Sequence, residues 1–169
     1  MEAEIVFSKI NKDDLSSMKK IFVIFKEWKE IYFNRNYQNV EYNNFENKTI
    51  ENSLEIIDIL GEKYYTKFWH PTKEEIAEIN DFYKSVSKLP GEERLEKIKM
   101  FQKTHKRPWD YDSWIDAILG MEVVLLDFIE CEKSYKFKLS QLSNPCGGIE
   151  AMENFVKIFN GEIIENTMF

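Results

Sequence analysis

Residues 143–155, SNPCGGIEAMENF, place a thiol directly before a predicted helix. A thiolate at Cys146 would be stabilised by the helix dipole and by free backbone N–H groups, and this favours nucleophilic chemistry. The CxxxxxR loop of cysteine phosphatases is absent, because residues 108–169 contain no arginine. Asn-Pro and Gly-Gly are also common turn residues. Cys146 is therefore a catalytic candidate, although the pattern favours a turn.

The two histidines of the chain could form a Cys-His pair only if the fold brought one of them to Cys146. His70 lies in WHPT just before a helix cap, and His105 lies at the carboxy end of a helix, where the dipole stabilises a cation. Each position therefore has a structural explanation. Two isolated histidines make a poor transition-metal site, and Cys131 and Cys146 do not form a CxxC pair. We predict no metal and no cofactor.

Residues 109–116, WDYDSWID, interleave aromatic and acidic side chains, namely Trp109, Asp110, Tyr111, Asp112, Trp114 and Asp116. The three carboxylates could bind magnesium or calcium, but their spacing is not that of an EF-hand loop. They also fit an N-cap and the first turn of a helix. A third interpretation is an interface in which aromatic residues anchor a basic partner and carboxylates steer it. We favour this interface over a metal site and extend it to Glu150 and Glu153.

A basic run at residues 97–107 contains no acidic side chain. Phosphate binding would use its lysines, with Phe101 or Trp109 for base stacking. Helical spacing instead turns Ile98 and Phe101 inward and leaves the lysines in solvent. The PCGG segment lacks the P-loop pattern, and Glu150 in the following turn already satisfies the helix dipole. We therefore predict no nucleic-acid or nucleotide binding.

The net charge of −7 comes entirely from the carboxy-terminal third of the chain. Residues 1–109 contain 19 basic and 19 acidic side chains, whereas residues 110–169 contain 4 and 11. An acidic surface repels nucleic acid and favours a basic partner. Small acidic proteins with this pattern look like bacterial immunity or antitoxin proteins, which neutralise a toxin by covering its basic active site. This similarity is one of type and carries no motif.

Hydrophobic periodicity predicts an α+β fold, with about six helices packed on a small mixed or antiparallel sheet of four to five strands. The amino-terminal half is predicted to begin with the strand EIVFSKI and a core helix over residues 13–34. A long loop, NRNYQNVEYNNFENK, then leads to a short helix that ends at Gly61. The next segment, KYYTKFW, is predicted to be a strand.

The carboxy-terminal half is predicted to begin with a helical hairpin over residues 73–106. Thr72 and Glu75 predict a capping box at its start. The buried stripe of its first helix is predicted to be Ile76, Ile79, Tyr83 and Val86. A short helix, a β-hairpin formed by VVLLDFIEC and YKFKLSQL, a helix after NPCGG and a last strand, EIIENTMF, follow. The chain is thus predicted to end in a hairpin–helix–strand arrangement.

Residues 1–169 are predicted to form a single globular domain, since the length suits one core and no linker divides the chain. No apolar run approaches the roughly 20 residues that span a bilayer, and the start lacks a signal-peptide pattern, so we expect a cytoplasmic protein. We expect a non-catalytic protein that binds and neutralises a basic protein through an acidic, aromatic carboxy-terminal surface. The alternatives are a small enzyme with a thiol or carboxylate centre and an oligomeric scaffold protein.

Overall fold

The computed structural model describes residues 2–38, 42–105, 107–120, 122–142 and 148–167; the side chains of residues 32–47 and the whole of residues 143–147, including Cys146, lie outside this description. The described residues form β1 Glu2–Ser8, α1 Lys12–Gln38, α2 Tyr42–Tyr65, α3 Lys73–Val86, α4 Gly91–Thr104, α5 Tyr111–Leu119, β2 Val123–Glu130, β3 Ser134–Gln141, α6 Gly148–Ile158 and β4 Ile163–Asn166. The α+β class and the final hairpin–helix–strand arrangement are confirmed. No helix in the described part of the chain combines the length and the apolar character needed to cross a membrane.

The predicted loop and the predicted strand between residues 34 and 69 are wrong. Helix α1 continues to Gln38 and α2 already begins at Tyr42, because residues 34–48 contain no glycine or proline to break a helix. Gly61 (φ 58°, ψ −178°) kinks α2 without ending it. The helix resumes to Tyr65 because Tyr64 extends the buried row of α2 by one more turn.

The chain divides into two compact units. Unit 1 comprises residues 1–67 and 111–169, and unit 2 comprises residues 68–110. The single-domain organisation expected from the sequence stays a prediction.

Unit 1 contains an antiparallel sheet of strand order β2-β3-β1-β4. Alternation along the strands turns every second side chain toward the helices, and Phe7 and Phe137 are completely buried. Phe137 stacks on Phe22 of α1 at 5.3 Å and on Phe155 of α6 at 5.6 Å between ring centroids. The core of unit 1 is therefore a layer of aromatic rings between the sheet and helices α1 and α6.

Strand β2 lies at an edge of this sheet and is interrupted by a register shift between Leu125 and Asp127. The Lys26 ammonium of α1 donates a hydrogen bond of 2.9 Å to the Leu126 carbonyl within this irregularity. Bulges and lysines are common protections of edge strands against pairing with other chains. Helix α1 thus both covers the core and closes part of the exposed edge.

Unit 2 contains the predicted helical hairpin, α3 and α4. The capping box is confirmed: the Glu75 amide donates to Thr72 Oγ1 at 3.2 Å, and the Thr72 amide donates to Glu75 Oε2 at 2.8 Å. The Phe82 and Phe101 rings stack at 3.9 Å and join the two helices. The predicted buried stripe of α3 is only partly correct: Val86 is buried, whereas Ile76 and Tyr83 are exposed. The reason is that α3 turns Phe82, which is not part of that stripe, toward α4.

Lys29 is a charged side chain in the core of unit 1, with 1% of its surface exposed. Its ammonium donates to the carbonyls of Ile118 and Gly120, the latter at 2.8 Å, at the carboxy end of α5. These carbonyls have no partner within the helix, so they require an external donor when buried. Burial lowers the pKa of Lys29 from 10.5 to about 8, although the nearby Glu122 carboxylate opposes this change.

We predict that Lys29 makes the stability of the protein rise between pH 8 and 10.5. In that range the native lysine releases its proton before the unfolded lysine does, so the unfolded state binds more protons and loses stability relative to the native state as pH increases. A shift of this size corresponds to about 3 kcal/mol. Lys29→Met removes the titrating group, and urea unfolding of both proteins across this range measures the difference. Parallel stability profiles for the wild type and Lys29→Met would contradict the prediction.

Candidate functional site

The residues of the predicted interface are divided between the two units. Trp109 and Asp110 belong to unit 2, where both are half-buried and the Trp109 carbonyl accepts a hydrogen bond of 2.9 Å from the Trp69 amide. The remaining predicted residues belong to helices α5 and α6 of unit 1, which pack against each other.

Helix α5 separates its aromatic side chains from its acidic side chains. Trp114 is fully buried and Tyr111 is 6% exposed, whereas Asp112 and Asp116, one helical turn apart, are exposed. The spacing of three and four residues puts Tyr111, Trp114 and Ile118 on the core side of α5. The carboxylates consequently lie together on the opposite, solvent side.

The two aromatic residues of α5 use their polar atoms inside the core. Trp114 Nε1 donates to the Ala151 carbonyl of α6 at 2.9 Å, and its ring lies edge-to-face on Phe25 at 5.3 Å. The Tyr111 hydroxyl donates to the Ser53 carbonyl at 2.8 Å, and burial raises the pKa of Tyr111 to about 12. In this structure neither ring is available to anchor a partner.

The two glutamates of α6 differ in availability. Glu150, in the first turn, is exposed and forms no ion pair with another described residue. Glu153 is half-buried and accepts hydrogen bonds from Asn166 at 2.9 Å and from Lys157 at 3.4 Å. The amide of Gly148, at the start of α6, donates to Glu122 Oε2 at 2.7 Å. Of the predicted carboxylates of unit 1, Asp112, Asp116 and Glu150 are therefore the accessible ones.

The catalytic candidates are not brought together among the described residues. Cys146 lies outside them, and His70 is exposed in unit 2. His105 stacks on Phe101 at 4.2 Å, with Nε2 at 3.8 Å from a carboxylate oxygen of Glu78. Within the described ranges, no group of three His, Cys, Asp or Glu side chains is placed to hold a metal ion.

The acidic excess of the chain lies in unit 1, which contains 14 basic and 22 acidic residues, whereas unit 2 contains 9 and 8. Three ion pairs link the carboxy-terminal third to the amino-terminal segments, and one of them uses an acidic residue of that third. Lys138 pairs with Glu2 at 2.9 Å, Lys136 with Glu4 at 2.7 Å, and Glu130 with Lys19. Among the described residues, α5 and α6 carry three exposed carboxylates that take part in no such pair, namely Asp112, Asp116 and Glu150.

A hydrogen-bonded cluster around the buried Asp14 carboxylate, at the start of α1, was not expected from the sequence. Asn11 caps the helix, since its Oδ1 accepts from the Asp14 amide at 2.9 Å. Tyr64 and Lys63 of α2 donate to the Asp14 carboxylate, Lys63 at 3.2 Å. Burial alone would raise the pKa of Asp14, but the hydrogen bonds from Tyr64, Lys63 and Asn11 outweigh it and hold this pKa below its ordinary value. The carboxylate is fully engaged and joins α1 to α2.

A groove of about 410 Å³ between α1 and α2 was also not expected from the sequence. It is lined by Lys19, Lys20, Val23, Ile24, Glu27, Lys48, Asn52 and Glu55. Both charge signs line it, and no pattern of spacing in the sequence distinguishes these residues from an ordinary helix surface.

Comparison of the chain with protein-family models, with curated proteins and with solved structures gives no match.

We predict that Trp114→Ala lowers the free energy of unfolding by about 3–5 kcal/mol, as removal of a fully buried aromatic ring does. Trp109→Ala, at the half-buried position in the same segment, should cost clearly less. Denaturant unfolding monitored by circular dichroism measures both values. If Trp114→Ala had the same free energy of unfolding as the wild type, this ring would lie on the surface and would again be a candidate for the predicted interface.

Proposed function

We propose that the protein is a non-catalytic binding protein that recognises a basic protein through exposed carboxylates on α5 and α6 of unit 1. The neutralisation of a toxin or nuclease-like partner, as immunity and antitoxin proteins perform it, is the form of this function that the acidic composition favours. We also propose that the protein acts in the cytoplasm.

The observation that carries the proposal is the separation of roles on α5. Tyr111 and Trp114 fix the helix in the core, while Asp112 and Asp116 project together into solvent. A carboxylate pair one turn apart on a well-anchored helix is a preorganised contact for lysine or arginine side chains. Glu150 adds a third carboxylate on the helix against which α5 packs.

The charge of unit 1 supports the same function. Its excess of acidic residues produces a field that steers a basic partner toward it and accelerates association. With the α5 aromatic rings buried, the proposed contact is more polar than the aromatic-anchored interface expected from the sequence. Electrostatic complementarity of this kind contributes to association rate and selectivity more than to affinity.

A small enzyme receives less support. Asp112 and Asp116 lie on the outer side of a helix, where solvent surrounds them. General acid or base catalysis by a carboxylate usually relies on burial to shift its pKa toward neutrality.

We predict that neutralising the three carboxylates weakens binding of the basic partner by about tenfold or more. The partner is recovered from native cells with the tagged wild-type chain, identified by mass spectrometry and purified. Its dissociation constant is then measured by calorimetry with wild type and with Asp112→Asn/Asp116→Asn/Glu150→Gln. The loss is expected because each substitution removes a negative charge. Each substitution also keeps the size of the side chain, so a change of shape cannot account for the loss.

A control variant with the same change in net charge is Glu55→Gln/Asp58→Asn/Glu62→Gln, at three exposed positions of α2. It should bind almost as tightly as wild type. Equal losses of affinity in the two variants would show that binding depends only on the net charge of the protein. An unchanged affinity of the α5–α6 variant would exclude this surface.

A further inference from the structure

The helical hairpin of unit 2 exposes an apolar strip that its own residues do not cover. All residues of α4 are described and none of them is buried. Leu95 is 58% exposed, Ile76 44% and Tyr83 42%. Large apolar side chains scattered singly are normal on a surface, whereas several on one helical pair indicate an interaction surface.

Helical spacing places these residues on one side of each helix. Ile76, Ile79 and Tyr83 recur at intervals of three and four residues along α3, and Leu95 and Ile98 are three residues apart on α4. The stack of Phe82 on Phe101 fixes the two helices against each other. The strip is therefore part of a hairpin that is already folded before any partner binds.

Two exposed charges flank Leu95 on the same side of α4. Glu92 precedes it by three residues and Lys99 follows it by four, and neither forms an ion pair with another described residue. They are seven residues apart, about 10 Å along the helix axis, too far to pair with each other. The pattern is complementary to itself: an antiparallel copy of α4 brings Glu92 opposite Lys99 with Leu95 near the centre.

We propose that two copies of the protein associate through this face, with α4 of one copy antiparallel to α4 of the other. The two hairpins then pack as a four-helix bundle around a two-fold axis, which is the common symmetry of homodimers. The self-complementary charges favour a second copy over an unrelated protein as the occupant. This interface lies in unit 2 and goes beyond the binding function proposed for unit 1.

The size of the face makes the proposed dimer weak. Two 14-residue helices give a footprint about 20 Å long and about 20 Å wide, or about 400 Å² per copy. Stable interfaces bury about 800 Å² per partner, so we expect association at micromolar concentrations.

We predict a reversible monomer–dimer equilibrium of the full chain in sedimentation velocity between about 5 and about 200 µM, with dimer increasing by mass action. Leu95→Asp should give a monomer throughout this range, because it places two carboxylates at the centre of the apolar contact. The matched control is Leu54→Asp on α2, where the wild-type leucine is 57% exposed. This control should dimerise like wild type.

A charge exchange tests the antiparallel arrangement itself. Glu92→Lys and Lys99→Glu should each weaken the dimer several-fold, and the double variant Glu92→Lys/Lys99→Glu should restore it. Both positions are exposed, so this test also decides the question if Leu95→Asp disturbs the hairpin in circular dichroism. A wild-type monomer at every concentration, a dimer that survives Leu95→Asp, or single charge changes without rescue would each overturn the proposal.

Discussion

The buried ammonium of Lys29 is the contact on which the carboxy-terminal layer of unit 1 depends. From α1, this ammonium donates hydrogen bonds to the Ile118 and Gly120 carbonyls at the end of α5. Just beyond them, Glu122 accepts a hydrogen bond from the Gly148 amide at the start of α6. Two helix ends that would otherwise be buried without partners are satisfied in this way. Burying the ammonium removes it from water, which costs free energy, and this desolvation lowers the pKa of Lys29.

This arrangement explains why α5 can present carboxylates to solvent in a fixed position. Trp114 packs between α1 and α6, against Phe25 and Phe155, and its indole N–H donates to α6. Tyr111 instead donates its hydroxyl to α2. The helix is thereby held at its end by Lys29 and along its length by the core. Asp112 and Asp116 lose little conformational freedom of the backbone when a partner binds, and this favours the proposed recognition.

Several features of the fold could be predicted from the sequence because their signals are local. The Thr72–Glu75 capping box and the β2–β3 hairpin depend on residues a few positions apart. The strand predicted at KYYTKFW was wrong because aromatic content favours strands, whereas the tertiary contacts of Tyr64 with Asp14 and Phe159 extend α2. The burial of Lys29 could have been predicted from its position, because it follows Phe25 by one helical turn on the apolar side of α1.

The site was harder to predict, since Trp and Tyr occur both in interfaces and in cores and only the packing distinguishes the two. We propose that α5 and α6 form the surface that binds a basic protein. Hydrogen exchange of the full chain, measured by mass spectrometry with and without the basic partner, tests this proposal. We predict slower exchange in residues 111–119 and 148–158 and unchanged exchange in residues 91–104. Protection confined to residues 91–104, with none in α5 or α6, would exclude α5 and α6 as the binding surface.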